Sequence, residues 1–560
     1  MNKTLFAQAS PGALVPQADA TNAAGGLAYK PSDEQALAQL AMTGTFGNAF
    51  YCSAEQQLTD LLVLAEKVSN EYLAQLAVYA CLKGWMKDTP IVLLALLSTR
   101  SASLFEKAFD LIVTDGKMLR NFVQVIRSGI VGRKSLGTVP KRKINQWLNK
   151  ASAYQLLNAN IGNNPTLGDV IRMAHPKASD PARQALFRWI IGSTTEESKA
   201  LLPDNVKAFM DFNAGLTNTD NQESAELTTE DKEVTTPPVP DVPFLMLTEF
   251  NLSGPQWQVI ADRMTWSQLR QNLTTFEKKE LFKVPEFAQK LAERLADPEL
   301  VRKAKVFPFQ IMSTYLNVGS KLPFGIKNAL NDALEVSLEN VPDFPELTTV
   351  ACDVSGSMKD PVTGRRDHQQ SYRKGNQTVT PPPPITNRQV AALMTCAVMR
   401  RCKSPLVWGF DDNLYDFGPE LNPRDTVLTN AEKIAKYNGG ATACWLPLKQ
   451  LYEQNIKQDL VILTSDNESW VVDRDSTRSY NRWAKGTELQ KYWNAYKSKF
   501  PNAKLVLIDI SPEATAQAVS SKDVLNIAGF SDEVFTIIDL FINNKLGKEH
   551  WVGEIKKTAL

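Results

Sequence analysis

Apolar residues recur every three to four positions from Ser32 onward, the spacing of helices with one buried face. "SDEQALAQLAMTG" (32–44) starts on a serine suited to an N-cap, places two acids in the first turn and closes on glycine. "SAEQQLTDLLVLAEKV", "NEYLAQLAVYACLKG", "DTPIVLLALLSTR" and "SLFEKAFDLIVT" repeat the pattern with short polar joints. It continues through "TLGDVIRMAHP" and "PARQALFRWIIG", then from "SGPQWQVIADRM" and "TWSQLRQNLTTF" to about Leu338. Stacked helix pairs of this kind predict an α-helical HEAT-like repeat domain over 30–340. One stretch breaks it: 215–243, acidic, Thr-rich and Pro-terminated, is expected to be a disordered insertion. Residues 1–29, rich in Ala, Gly, Pro and Gln, are expected to be a disordered N-terminus.

Beyond Val341 the period changes. Short β-branched runs ("LTTVACD", "PLVWGFD", "DLVILTSD", "AKLVLIDIS", "VLNIAGF") alternate with helical patterns such as "NRQVAALMTCAVMRRC" and "GTELQKYWNAYKSKF". Buried strands alternating with helices predict an α/β doubly wound domain over 341–560, its sheet mainly parallel. A polar stretch ending in "PPPP", 359–384, reads as an insertion loop.

The chain has 560 residues and a formal net charge of +1, so total charge names no partner. Its longest apolar stretch, "PIVLLALLS", is too short to span a bilayer, and the first residues lack the apolar core of a signal peptide. No membrane association is expected. Six scattered cysteines without a CxxC pair read as buried free thiols in a reducing, cytoplasmic setting.

Chemistry concentrates at "ACDVSGSMKD" (351–360). The first strand of the second domain ends at Asp353, followed by Ser355 and Ser357. A later strand ends near Asp466 in "VILTSDNESW", and "NGGATACWLP" offers Thr442 on a Gly-rich turn. In doubly wound sheets ligands bind beyond the carboxyl ends of the strands. Carboxylate and hydroxyl oxygens without His or Cys suit Mg²⁺ or Mn²⁺, with waters or a partner's acidic group completing the shell. A plainer reading is a capped turn, since Asp and Ser before a helix bond the backbone for local reasons. A strand-end Asp can also be a phosphoryl-transfer nucleophile. The position two residues on, where haloacid-dehalogenase-like phosphatases carry their acid, is Ser355 here, which disfavours that chemistry.

The helical domain carries a second signal. From Gly116 to Gly168 there is no Asp or Glu, while Lys117, Arg120, Arg127, Arg133, Lys134, Lys141, Arg142, Lys143 and Lys150 crowd the stretch. Arg172, His175 and Lys177 follow. Cations free of acids suit phosphate, and interleaved aromatics such as Trp147 can stack bases of single-stranded RNA. A solvated helix face beside an acidic neighbour is the plainer alternative.

Asp353, Ser355, Ser357, Thr442 and Asp466 together resemble the metal-ion-dependent adhesion site of von Willebrand factor type A domains. In the order of its motifs the chain resembles the Ro autoantigen (TROVE module) family. The match is carried by "SGIVGRKSLGTVPKRKINQW", "GDVIRMAHPK", "TWSQLRQNLTTF", "FPFQIMSTY", "DVSGSM", "GGATACWLPL" and "TSDNESW", over about 30 to 545. That resemblance implies a ring-like helical domain followed by a type A domain holding Mg²⁺ or Mn²⁺. It implies a monomeric, non-enzymatic protein binding Y-like small noncoding RNA on a basic outer surface. The 3′ single-stranded ends of misfolded RNA would enter a central hole. An exoribonuclease, or an acidic protein ligand at the metal, are the implied protein partners, and RNA quality control the implied role. "NANIGNNP", just before the His-containing motif, lacks the basic residues family members often have there. A protein-interaction adaptor, with peptide on the solenoid and a carboxylate on the metal, is the rival function.

Overall fold

The computed structural model describes residues 15–47, 49, 51–222, 238–318, 322–339, 341–362, 372–374, 377–379, 384–437, 439–473 and 486–560. The chain is a helical N-terminal region followed by an α/β region built on a mainly parallel sheet. Its two compact units do not divide at residue 341. One gathers Met1–Thr89, Leu295–Val318 and Lys327–Ala559, the other Pro90–Arg294 with Gly319–Ile326 and Leu560. The helix Asp33–Thr43, buried from Ala36 to Thr43, packs on the sheet's edge strand and on the C-terminal helix His550–Lys556. Periodicity tells that such a helix is buried, not against what.

The first unit holds a six-stranded sheet. Its strands are β1 (Thr348–Asp353), β2 (Leu406–Phe410), β3 (Leu414–Asp416), β4 (Leu460–Ser465), β5 (Lys504–Asp509) and β6 (Val524–Ala528). The spatial order is β6-β5-β4-β1-β2-β3, parallel except for β3, which pairs antiparallel with β2. Every residue of β1 and β4 is buried, which is why both read as continuous apolar or β-branched runs. The helix Asn387–Arg400 opens on a Thr386/Gln389 capping box and packs on β1. Strand order reverses between β1 and β4, so the crevice at their carboxyl ends is the topological switch point.

Residues 15–29, expected to be disordered, are part of this unit. Ala20–Thr21 and Leu27–Ala28 pair as a short hairpin, and Tyr29 exchanges backbone hydrogen bonds with Ala516 at 2.8 and 3.0 Å. Tyr29 is buried, an apolar anchor that compositional bias conceals. Residues 1–14 lie outside the described residues. Within 359–384, Tyr372–Lys374 and Gln377–Val379 form a two-stranded ladder, and 363–371, 375–376 and 380–383 lie outside the description.

The second unit is helical. Ala102–Ile112 packs on Thr138–Lys150, and Gly116–Ser128 on Ala153–Ala159 and Leu167–Ala174. Phe105, Phe109 and Phe122 pack with ring centroids 5.5–5.6 Å apart, edge-on and stacked. Gly116 lies so close to Ala159 that a Cβ would overlap it. The helix Asp204–Gln222 runs beyond residue 215, where disorder was expected; 223–237 lie outside the described residues. The described cysteines are all free. No helix among the described residues is long and apolar enough to cross a membrane.

Candidate metal centre and candidate nucleic-acid interface

Four strands of the sheet end in the same local device. Asp353, Asp411, Asp466 and Asp509 each accept, on a side-chain oxygen, the backbone N–H two residues on, at 2.8, 2.6, 3.2 and 2.9 Å. This Asx turn is the plain reading of an Asp at a strand tip. At the switch point more is added. Ser355 and Ser357 hydroxyls lie 3.3 Å apart, and Ser465 donates to the second oxygen of Asp353 at 2.6 Å. The Ser357 hydroxyl also bonds Asp466.

Backbone bonds tie the three segments together. Gly356 N–H donates to the Gly440 carbonyl at 2.8 Å and Gly439 N–H to the Val354 carbonyl at 3.0 Å. The Thr442 carbonyl accepts from Trp470 and Val471 N–H at 3.2 Å and from the Ser469 hydroxyl at 3.3 Å. The structure therefore brings Asp353, Ser355, Ser357, Thr442 and Asp466 to one place, none more than 5% exposed.

Two buried carboxylates in one crevice repel each other. Burial, and then the charge of Asp466, push the Asp353 carboxyl up. Burial pushes Asp466 up against the opposing bond from Ser357. Among the described residues neither forms an ion pair, and no group of three or more His, Cys, Asp and Glu gathers as a metal cluster. Two carboxylates and three hydroxyls could hold a hard divalent ion; the buried Arg388 guanidinium, which feels the charge of Asp353, is bonded to the Ser355 and Tyr437 carbonyls.

The site is also covered by its own chain, which sequence reasoning missed. Tyr51 places its hydroxyl on Ser357, and burial and the charges of Asp466 and Glu468 push its phenol up to about 12. Asn22 donates to the Ser469 carbonyl and Ala24 N–H to Glu468, at 2.9 and 2.8 Å. Gly26 rides so close to Ser469 that a Cβ would overlap its carbonyl oxygen. Glu468 is fully buried, with its carboxyl pushed up to about 8, chiefly by desolvation. No local signal links Tyr51 or Asn22 to a motif so far along the chain.

The cationic stretch of the second unit splits into two groups. Arg120 is 9% exposed and donates to the Ile161 and Pro165 carbonyls at 2.6 and 3.3 Å. Lys143 is 7% exposed and pairs with Asp110 at 2.6 Å, and Arg142 pairs with Glu106. Arg133 donates to Ser98 at 2.9 Å, and Arg172 to the Ile191 carbonyl at 2.8 Å and toward Asp169 at 3.6 Å. These five have internal partners. That corrects the expectation of an acid-free surface, because Glu106 and Asp110 reach over from the helix Ala102–Ile112.

Lys117, Arg127, Lys134 and Lys177 are exposed and Lys141 is half-buried. His175 is exposed and ends the helix Leu167–Ala174 in the left-handed region (φ 50°), its N–H on the Ile171 carbonyl at 2.9 Å. Its backbone thus has a capping role independent of its ring.

The helix Thr138–Lys150 forms a ridge between two open troughs. One, of about 790 Å³, is lined by Lys141, Arg142, Asn145, Gln146 and Asn149. The other, of about 810 Å³, is lined by Asp110, Lys143, Trp147, Lys150 and Gln155 among others, the Asp110 carboxylate being paired with Lys143. Trp147 is half-buried and Lys150 exposed, so an indole and a cation share the second trough.

Residues 348–542 match the profile of the Ro60 vWA domain. The RNA-binding protein RO60 of Deinococcus radiodurans is 22% identical over 561 residues, covering 94% of this chain and 95% of that protein. The RNA-binding protein RO60 of Caenorhabditis elegans is 23% identical over 274 residues, covering 46% of this chain and 37% of that one. The crystal structure of the Deinococcus radiodurans RO (RSR) protein superposes with a TM-score of 0.57 at 19% identity, over 92% of this chain and all of that chain, a likeness of fold.

Proposed function

We propose that this chain, a Ro-type protein by its type A domain and by a likeness running along nearly its whole length, binds RNA and is not an enzyme. The observation that supports this most is the ridge Thr138–Lys150 with its flanking troughs, where Lys141, Trp147 and Lys150 stand beside amide side chains. Lysines meet phosphates without geometric demand, and an indole offers a stacking face to an unpaired base. Lys117, Arg127, Lys134 and Lys177 extend the cationic set. The finer reading follows the resemblance: Y-like small noncoding RNA on the basic surface, 3′ ends of misfolded RNA in a central hole, and exonuclease-assisted RNA quality control in the cytoplasm.

At the switch point we place a divalent ion, Mg²⁺ or Mn²⁺, held by Asp353, Ser355, Ser357, Thr442 and Asp466. When bound it supplies the positive charge that lets both carboxylates ionise. Because Tyr51 and the hairpin turn cover the site, we read its role as holding the unit together before recruiting an acidic partner. The adaptor reading would need that cover to move.

Electrophoretic mobility shift with a small structured RNA bearing a single-stranded 3′ tail, at two salt concentrations, tests the proposal. Binding that weakens steeply with salt is expected. No RNA binding at low salt by folded protein contradicts it.

A further inference from the structure

Beside the tip of β4, apart from the adhesion-type site, lies an enclosed void of about 10 Å³, room for about one water-sized particle. Gln39 reaches it from the helix Asp33–Thr43, Asp509 from the end of β5 and Asn526 from β6. All three are buried, 1%, 3% and 4% exposed. Each leaves one acceptor oxygen without a hydrogen bond: Gln39 Oε1, Asp509 Oδ2 and Asn526 Oδ1.

Their remaining bonds show why these oxygens are left over. Asp509 Oδ1 accepts from Ser511 N–H at 2.9 Å. Asn526 Nδ2 donates to the Ala518 carbonyl and to the Ser520 hydroxyl at 3.0 and 2.9 Å, which turns its amide oxygen the other way. The hydroxyl of Ser465, also at the void, is given to Asp353. Among the described residues no Lys, Arg or His pairs with Asp509.

Three orphaned buried acceptors would each cost about 1–3 kcal/mol. A water offers two protons and leaves the carboxylate charge uncompensated. A protonated Asp509 with one water in the void supplies three protons and is the neutral alternative, which the sodium dependence below separates from a cation. A monovalent cation satisfies all three oxygens and neutralises the single charge. Hard oxygen donors and a one-particle void suit a sodium-sized ion.

We propose that Gln39, Asp509 and Asn526 form a monovalent-cation site that fastens the N-terminal helix Asp33–Thr43 to the edge of the sheet. Burial pushes the Asp509 carboxyl well above its ordinary range, as expected for an interior acid with no cation beside it. RNA binding does not enter this proposal, so the two stand or fall separately.

The test is thermal unfolding of the full chain at fixed Mg²⁺ and fixed ionic strength, in sodium chloride and in tetramethylammonium chloride. The Tm should be higher in sodium, by mass action on the native state. Asp509→Asn and Gln39→Met should each abolish the difference. Wild-type crystals soaked in thallium(I) should show an anomalous peak between Gln39 and Asp509, a readout that needs no variant to fold. Equal Tm in the two salts with no anomalous peak overturns the site and leaves a protonated Asp509. A sodium effect that persists in both variants puts the ion elsewhere and overturns it equally.

Discussion

The carboxylate-and-hydroxyl crevice at the switch point and the cationic ridge of the second unit present charge in opposite ways. In the crevice, two carboxyl groups are driven inside, held by hydroxyls and roofed by Tyr51. On and around the ridge most charges face solvent, but five cations have partners within the protein and two of these, Arg120 and Lys143, are buried. Burial makes the crevice demanding: its geometry is set by the protein and its charge must be met. Exposure makes the ridge permissive: its lysines are available to phosphate at little cost. A cation's identity therefore says less about binding than whether something inside the molecule already holds it.

This contrast can be broken at its internal end first. Arg120→Ala should remove two charge-assisted bonds to buried carbonyls and destabilise the protein by about 3 kcal/mol, read as a lower midpoint in urea. Its RNA affinity, measured where the variant is folded, should stay near wild type. A large affinity loss with unchanged stability would place Arg120 on the RNA instead.

The crevice is sharpened by ion removal. Saturating Mg²⁺ or Mn²⁺, at about 100 times Kd, should stabilise the wild type by about 2.7 kcal/mol over chelator. Asp353→Ala with Ser355→Ala should erase that difference in thermal unfolding and leave RNA binding nearly intact. Equal melting in divalent ion and chelator would reduce the motif to four similar Asx turns, two of them decorated with serines.

A smaller effect is expected at the cover. Tyr51→Phe removes one hydroxyl from Ser357 and should cost about 1 kcal/mol. It should also admit one more water to Tb³⁺ bound in place of Mg²⁺, read from luminescence lifetimes in H₂O and D₂O. An unchanged water count would mean that Tyr51 does not face the ion.

Much of this was legible in the chain. The period change near Val341 marks the sheet, and each of its five long strands appears where a β-branched run stands. Asp353, Ser355 and Ser357 are legible because an Asx turn and its hydroxyls are local to a few residues. Thr442 and Asp466 follow from strand tips converging at a switch point. Longer links are silent in sequence. Nothing in "GNAFYCS" says that Tyr51 will roof Ser357, or in "AKLVLIDIS" that Asp509 will face Gln39. Nor does an acid-free run exclude acids that arrive from another helix, as Glu106 and Asp110 do. The short antiparallel strand β3 carries too few residues to show a period. The hairpin of Ala20–Thr21 with Leu27–Ala28 is hidden because each strand has two residues, too few to show a period, and only Ala28 of the four is buried.

The central claim is that the cations with no partner among the described residues, not those already bonded within the protein, meet RNA phosphates. The most direct measurement is the slope of log Kobs against log salt for two multiple variants beside the wild type. One replaces Lys117, Arg127, Lys134, Lys141, Lys150 and Lys177 with Ala; the other replaces Arg133, Arg142 and Arg172 with Gln. The first should lose about 0.7–0.9 of slope for each phosphate contact removed, with a matching fall in affinity. The second should keep the wild-type slope. A wild-type slope in the first variant, or an equal loss in both, would contradict the account.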